Sequence, residues 1–160
     1  MNLQISEWKE FEFGRLIKEI YKAKAYNKDE LDYSETYRDG DIAYVTRTEP
    51  NNSVECFVNE HDLDNVEEGN AIVIGDTTAT ITYQRDRFVA GDHIVVIRAD
   101  WLNIYTGLFF VTLLRQERFR YCYGRAFIKE IILNTKLKLP VDDKGNPDYK
   151  KMENIISIYH

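Results

Sequence analysis

Five short runs between positions 41 and 98 constrain this chain more than any other feature. "DIAYVT" (41–46), "SVECFV" (53–58), "AIVIG" (71–75), "ATITYQ" (79–84) and "HIVVIR" (93–98) are β-branched, aromatic or alternating, and turn residues in "EPNN", "EEGN", "GDTT" and "AGD" separate them. Strands this closely spaced leave no room for crossover helices between neighbours, so the spacing predicts a curled, largely antiparallel sheet.

Helical periods flank that centre. "GRLIKEIYKA" from Gly14 places Leu16, Ile17, Ile20 and Tyr21 at helical spacing, predicting a short amphipathic helix after an extended piece around Trp8, Phe11 and Phe13. After Asp100, read as an N-cap, "WLNIYTGLFFVTLLRQERF" sets Leu102, Tyr105, Leu108, Phe109, Thr112 and Leu113 on one side of a long helix. "FIKEIIL" (127–133) returns to strand character, and "KLKLP" extends it to Pro140. In the tail, Asn146 can cap and Pro147 suits a first helical position, with Met152, Ile155, Ile156 and Tyr159 recurring on one face. The class is α+β: a curled, mostly antiparallel sheet with a long packed helix and a C-terminal helix.

At 160 residues the chain is one domain and can bury a core without disulfides. Cys56 and Cys122 share no metal-ligand spacing with His61, His93 or His160, so the expectation is no metal site, no cofactor and ordinary reduced thiols. The N-terminus lacks the basic-then-apolar order of a signal peptide. The longest apolar run, "GLFFVTLL" (107–114), falls short of the roughly 20 residues a membrane helix needs. A soluble, cytoplasmic protein with no membrane partner is expected.

Catalytic patterns are scarce. A nuclease pairing of Pro-Asp with Glu-x-Lys occurs only scrambled, as Glu7-Trp8-Lys9 near the start and Pro147-Asp148 near the end. Neither a glycine-rich cofactor loop nor the Asn-Pro-Pro-aromatic motif of amino-methyltransferases is present, and no nucleophile elbow frames a serine. The chain reads as non-catalytic.

Charge points to one region. The formal net charge of −6 argues against polyanions, yet residues 113–138 carry Arg115, Arg118, Arg120, Arg125, Lys129, Lys136 and Lys138 against Glu117 and Glu130. That leaves +5 locally and −11 on the rest, so a phosphate backbone has one place to rest; a solvated helix face explains the same excess.

Two strings could read bases. In "VIGDTTATITYQ" (73–84) a glycine turn opens onto a strand instead of the helix that a phosphate loop needs. Alternation puts Ala79, Ile81 and Tyr83 on one face, and Thr78, Thr80, Thr82 and Gln84 on an opposite, wet one. Such a face suits base edges, though threonine is also simply a good strand former. In "YVTRTEPNN" (44–52), Arg47 offers a fork to guanine and Asn51 and Asn52 amides to adenine, while asparagines after a proline also form turns.

With these residues set out, the chain resembles, nearly end to end, a target-recognition domain of DNA specificity subunits from type I restriction-modification systems and the related type IIB enzymes. The resemblance rests on "EWKEF", "GDIAYVTRTEPNN", "EGNAIVIGDTTATITYQ", "GDHIVVIRADWLN", "YGRAFIKE" and "KLPVDDKGNPDYKKMENII". It implies a fold like that of a DNA methylase specificity domain and recognition of half of a split double-stranded DNA target. Methyltransferase and endonuclease subunits of a bacterial defence system would supply the chemistry. It also implies a boundary: residues 1–140 form the recognition domain, and residues 141–160 are a loop and the start of a spacer helix through which two copies could pair. Ser53 departs from the pattern, because relatives commonly carry a glycine there that allows positive φ.

The candidate DNA-binding residues are then Arg47, Asn51, Asn52, Thr77, Thr78, Gln84 and Arg85 near the bases. Arg115, Arg118, Arg120, Arg125 and Lys129 would lie on phosphates. The competing class is a protein-interaction module whose acidic surface has little DNA affinity. A nuclease would need a carboxylate cluster that the sequence does not display.

Overall fold

A computed structural model describes residues 3–118 and 129–159 of the chain. Ten strands and three α-helices follow in order: β1 (Lys9–Glu12), β2 (Glu19–Lys22), β3 (Tyr33–Ser34), β4 (Ile42–Val45), β5 (Val54–Val58), β6 (Ala71–Gly75), β7 (Thr80–Gln84), β8 (Phe88–Ala90), β9 (Ile94–Arg98), α1 (Ile104–Glu117), α2 (Lys129–Asn134), β10 (Lys136–Leu139) and α3 (Tyr149–Tyr159). The class is α+β, but the sheet is not one curled unit. Two four-stranded sheets form, ordered β2-β9-β6-β7 and β3-β5-β4-β8, together with a β1-β10 ribbon. All pairs are antiparallel except β4 with β8.

The layering follows from strand alternation. One face of the first sheet, including Ile72, Ile74, Ile81, Tyr83, Val95 and Ile97, packs with Phe110 and Leu114 of α1 and Met152 and Ile155 of α3. Its other face, with Val73 and Val96, meets Val45, Phe88 and Ala90 of the second sheet. The far side of that second sheet, at Ile42, Tyr44 and Val58, is covered by Tyr26, Leu31, Leu63 and Val66. A strand covered on both faces can be apolar throughout, as β6 is.

Several elements differ from the sequence expectations. The predicted helix from Gly14 is a short 3₁₀ turn, Phe13–Arg15, followed by β2; the pattern of Ile20 and Tyr21 also fits a strand, and pairing with β9 from Ile20↔Ile97 to Lys22↔Val95 decides the outcome. The strand expected over 127–133 is helical in its described part, where α2 buries Ile132. α1 starts three residues later than Asp100 would cap it. Asn103 Oδ1 accepts from the amides of Tyr105 (2.9 Å) and Thr106 (3.0 Å), while Thr106 Oγ1 accepts from the Asn103 amide at 2.8 Å.

The buried stripe of α1 is rotated from the predicted one. Thr106, Gly107, Phe109, Phe110, Val111 and Leu114 face inward, whereas Tyr105 and Thr112 are exposed. Gly107 sets the rotation by lying against the Tyr83 ring, where an added Cβ would stand 2.7 Å from Cε1. In the tail the cap is Asp148, whose Oδ1 accepts from the Lys151 amide at 3.0 Å; Asn146 is not the cap, and Pro147 forms a bridge with Val141.

Candidate nucleic-acid interface

Strand β7 and the 46–53 segment, which lies alongside it, build the site. Leaving β4 at Val45, the chain passes Arg47, turns at Pro50 and re-enters as β5. Asn51, Asn52 and Ser53 take φ of 54°, 55° and 63°. Three successive non-glycine residues in the left-handed region persist only where their surroundings hold them there.

Those surroundings are specific. Asn52 Nδ2 donates to the Tyr83 carbonyl at 3.0 Å, and Gln84 Nε2 donates to the Asn52 carbonyl at 2.8 Å and to Thr82 Oγ1 at 3.0 Å. Ser53 Oγ donates to the Thr48 carbonyl at 2.7 Å, and the Thr46 amide donates to the Ser53 carbonyl at 2.9 Å. The departure from glycine at Ser53 therefore leaves the left-handed turn intact, because the side chain satisfies a carbonyl inside it.

The hydroxyl face of β7 is not wet. Thr80, Thr82 and Gln84 are 2%, 3% and 5% exposed, since pairing Thr82 with Val73 and Gln84 with Ala71 turns them toward the second sheet. A buried amide must be hydrogen-bonded, and the two bonds of Gln84 meet that need. Thr77 and Thr78, in the turn before β7, are exposed. There Arg47 donates to Thr77 Oγ1, and Thr78 Oγ1 donates to the Arg47 carbonyl at 3.4 Å. Gly75 is required on the strand side, because a Cβ there would lie 2.8 Å from Arg47 Cγ.

The C-terminal half of α1 completes this edge. Arg115, exposed, donates through Nε to the Ile81 carbonyl at 2.9 Å, and Arg118 Nη1 reaches Glu49 Oε1 at 3.0 Å. Arg47, Asn51, Asn52, Thr77, Thr78, Arg115 and Arg118 thus belong to one contiguous edge. Arg85, exposed and paired with Asp86 at 3.4 Å, lines a groove of about 480 Å³ with Asn52, Phe57, Arg87 and Ile104. Lys129 is exposed at the start of α2, which packs against the Phe13–Arg15 turn, and among the described residues no bond ties it to the arginine edge. Arg120 and Arg125 lie outside the described residues.

Sequence reasoning missed Glu49 and Tyr83. Glu49 stands inside the quoted "RTEPNN" and could have been weighed as the partner of a basic helix; Tyr83 contributes through its carbonyl, for which side-chain chemistry gives no signal. Cys56 is buried and its thiol is pushed up by that burial. Among the described residues no group of three His, Cys, Asp or Glu side chains could hold a metal, and no helix is long and apolar enough to cross a membrane.

Comparison with known proteins identifies the family and the fold. Residues 5–159 match the model of the type I restriction modification DNA specificity domain. The fold is similar to that of the type I restriction-modification system S subunit from M. genitalium, with a TM-score of 0.63, 15% identity, and coverage of 96% of this chain and 39% of that one. It is similar to a chain from a structure describing complex assembly and conformational transition of the type I R-M system, with a TM-score of 0.63 and 11% identity over 95% of this chain and 37% of that chain. The HsdS subunit from Thermoanaerobacter tengcongensis also matches at a TM-score of 0.63 and 10% identity, over 99% of this chain and 37% of its own. This chain therefore spans about two fifths of the length of these solved relatives. No curated protein sequence matches at a significant level. With its family model matched over nearly its whole length, the chain belongs to the type I restriction modification DNA specificity domain family.

Proposed function

We propose that the chain is a DNA target-recognition domain that reads one short double-stranded sequence and leaves methylation and cleavage to partner subunits. The observation that carries this is the edge formed by half-buried Arg47 and exposed Asn51, Thr77 and Thr78, backed by Arg115 and Arg118. It joins forked and amide donors, suited to base edges, to guanidinium groups suited to phosphates. Arg85 borders the same surface. Residues 1–140 act as the recognition unit, and 141–160 lead into a spacer helix.

Pairing of two copies through α3 is supported by Ile158 and Tyr159, which are 56% and 60% exposed on a helix whose Met152 and Ile155 are already packed inward. Truncating the helix would remove those packed residues along with the exposed ones. The clean perturbation is Ile158→Glu with Tyr159→Glu, and sedimentation should show loss of self-association with the fold retained. A monomeric wild-type chain rejects the pairing.

Selection from a random duplex library at low salt, with the chain alone and with the methyltransferase subunit of a type I system added, tests the reading function. A short enriched motif is expected, and Arg47→Ala should relax it at particular base pairs. Flat recovery under both conditions rejects sequence reading and favours a protein-interaction module.

A further inference from the structure

The buried amide of Gln84 and the strained turn it holds separate two roles that sequence reasoning had merged. Asn51, Asn52 and Gln84 are all amides near one edge, yet only Asn51 is exposed with no side-chain hydrogen bond among the described residues. Asn52 spends its Nδ2 on the Tyr83 carbonyl, and Gln84 spends its Nε2 on the Asn52 carbonyl and Thr82 Oγ1. These reciprocal bonds cross from β7 to the 51–53 turn. They fix the backbone on the C-terminal side of Asn51, where three positive φ angles succeed one another.

Such a turn needs support, since asparagine tolerates the left-handed region singly but three non-glycine residues there in succession are disfavoured. What the clamp holds in place is the backbone that carries Asn51, whose exposed amide offers the paired donor and acceptor that match the N6 and N7 of adenine in the major groove. An amide free of internal bonds on a backbone already fixed leaves less to order on binding, which favours discrimination. We propose that Asn51 is the adenine-reading residue of this domain and that Gln84 and Asn52 are positioning residues, acting on specificity only through Asn51. The inference rests on the DNA-reading function proposed above.

The test is a double-mutant cycle on the full chain, using the motif enriched by the wild type and the same duplex with its adenine replaced. Asn51→Ala should lower the preference for adenine by about tenfold, in keeping with the worth of a bidentate contact. Gln84→Met, of similar length but unable to donate, should lower the preference at the same base pair, and the double variant should lose no more than Asn51→Ala alone. The salt dependence of binding should not change, because no phosphate contact is touched. Thr82→Val, which removes only the other bond of Gln84, should leave preference unaltered. Asn52→Ala, at an exposed turn position, repeats the test if Gln84→Met does not fold.

Additive losses in the double variant, or a Gln84→Met or Asn52→Ala protein with normal adenine preference, would overturn the positioning role while leaving DNA reading intact. Intact preference in Asn51→Ala would overturn the assignment of the reader. A wild-type chain that enriches no motif at all would remove the reading function and this inference together.

Discussion

Replacing Gly107 with alanine tests how α1 is seated on the sheet, and the sign of the effect is the informative quantity. At an exposed helix position this change would stabilise by about 1 kcal/mol through propensity alone. Here the new methyl would stand 2.7 Å from Cε1 and 2.9 Å from Cγ of Tyr83, distances that force something to move. The ring has little freedom: Tyr83 is 7% exposed, its backbone pairs with Ile72, and its hydroxyl donates to Asn70 Oδ1 at 2.6 Å. Overpacking of a closed core costs about 1–3 kcal/mol, and displacing the ring puts its hydrogen bond, worth about 1 kcal/mol, at risk. With the hydrogen bond lost and the propensity gain deducted, the variant should lose about 1–3 kcal/mol. For a chain of this size that is a drop of roughly 2–12 °C in Tm. Urea titration with an unchanged slope would measure it cleanly. A variant more stable than the wild type would show that α1 does not sit on Tyr83 as described.

Other perturbations follow from single contacts. Lys24 and then Tyr26 hold the Asp64 carboxyl down from its ordinary 3.8 to about 2, through bonds of 2.5 Å from each. The unfolded chain therefore binds this proton more readily, so the contribution is complete above about pH 5 and is lost as pH falls toward 2. Asp64→Asn should flatten the acid limb of stability in that window, and an unaltered limb would contradict the pairing. Burial pushes the Tyr149 hydroxyl up to about 12 beside the stacked Trp101 ring. Its neutral form is favoured in the fold, so stability should be lost as pH rises from 10 through 12, and Tyr149→Phe should remove that loss in a base titration followed by tryptophan fluorescence. Glu67, 9% exposed, accepts from Tyr21 at 2.6 Å and from Arg98 at 3.3 Å. Glu67→Gln should cost about 2 kcal/mol by chemical denaturation, and a neutral result would show that the 67–70 segment is not held by this network. Arg115→Ala combined with Arg118→Ala should weaken binding to all duplexes and flatten its salt dependence; an unchanged slope rejects their place on phosphates.

What the sequence made legible was whatever depends on short-range period. The five central runs became β4, β5, β6, β7 and β9, because β-branched residues bounded by turn residues admit few other structures. Hidden from it were outcomes decided by a distant partner. Ile20 and Tyr21 fit helix and strand alike until β9 lies alongside, and Thr82 and Gln84 look solvated until a second sheet covers them. At the candidate site, the arginines and the asparagine pair stood out by chemistry. The division of labour among Asn51, Asn52 and Gln84 did not, since it depends on which amide is buried and which carbonyl it meets. That Ser53 would keep the left-handed turn in place of a glycine was equally illegible, since it depends on the Thr48 carbonyl five residues back.

The face that meets DNA can be located directly by mapping amide chemical-shift changes as a motif-bearing duplex is titrated into the labelled chain. Changes should concentrate at 47–53, at 76–78 and in the last turns of α1. Changes confined to the surface around Tyr33 and Tyr37, or to the apolar groove between Ile5 and Ile156, with the arginine edge unmoved, would put the DNA-binding face elsewhere.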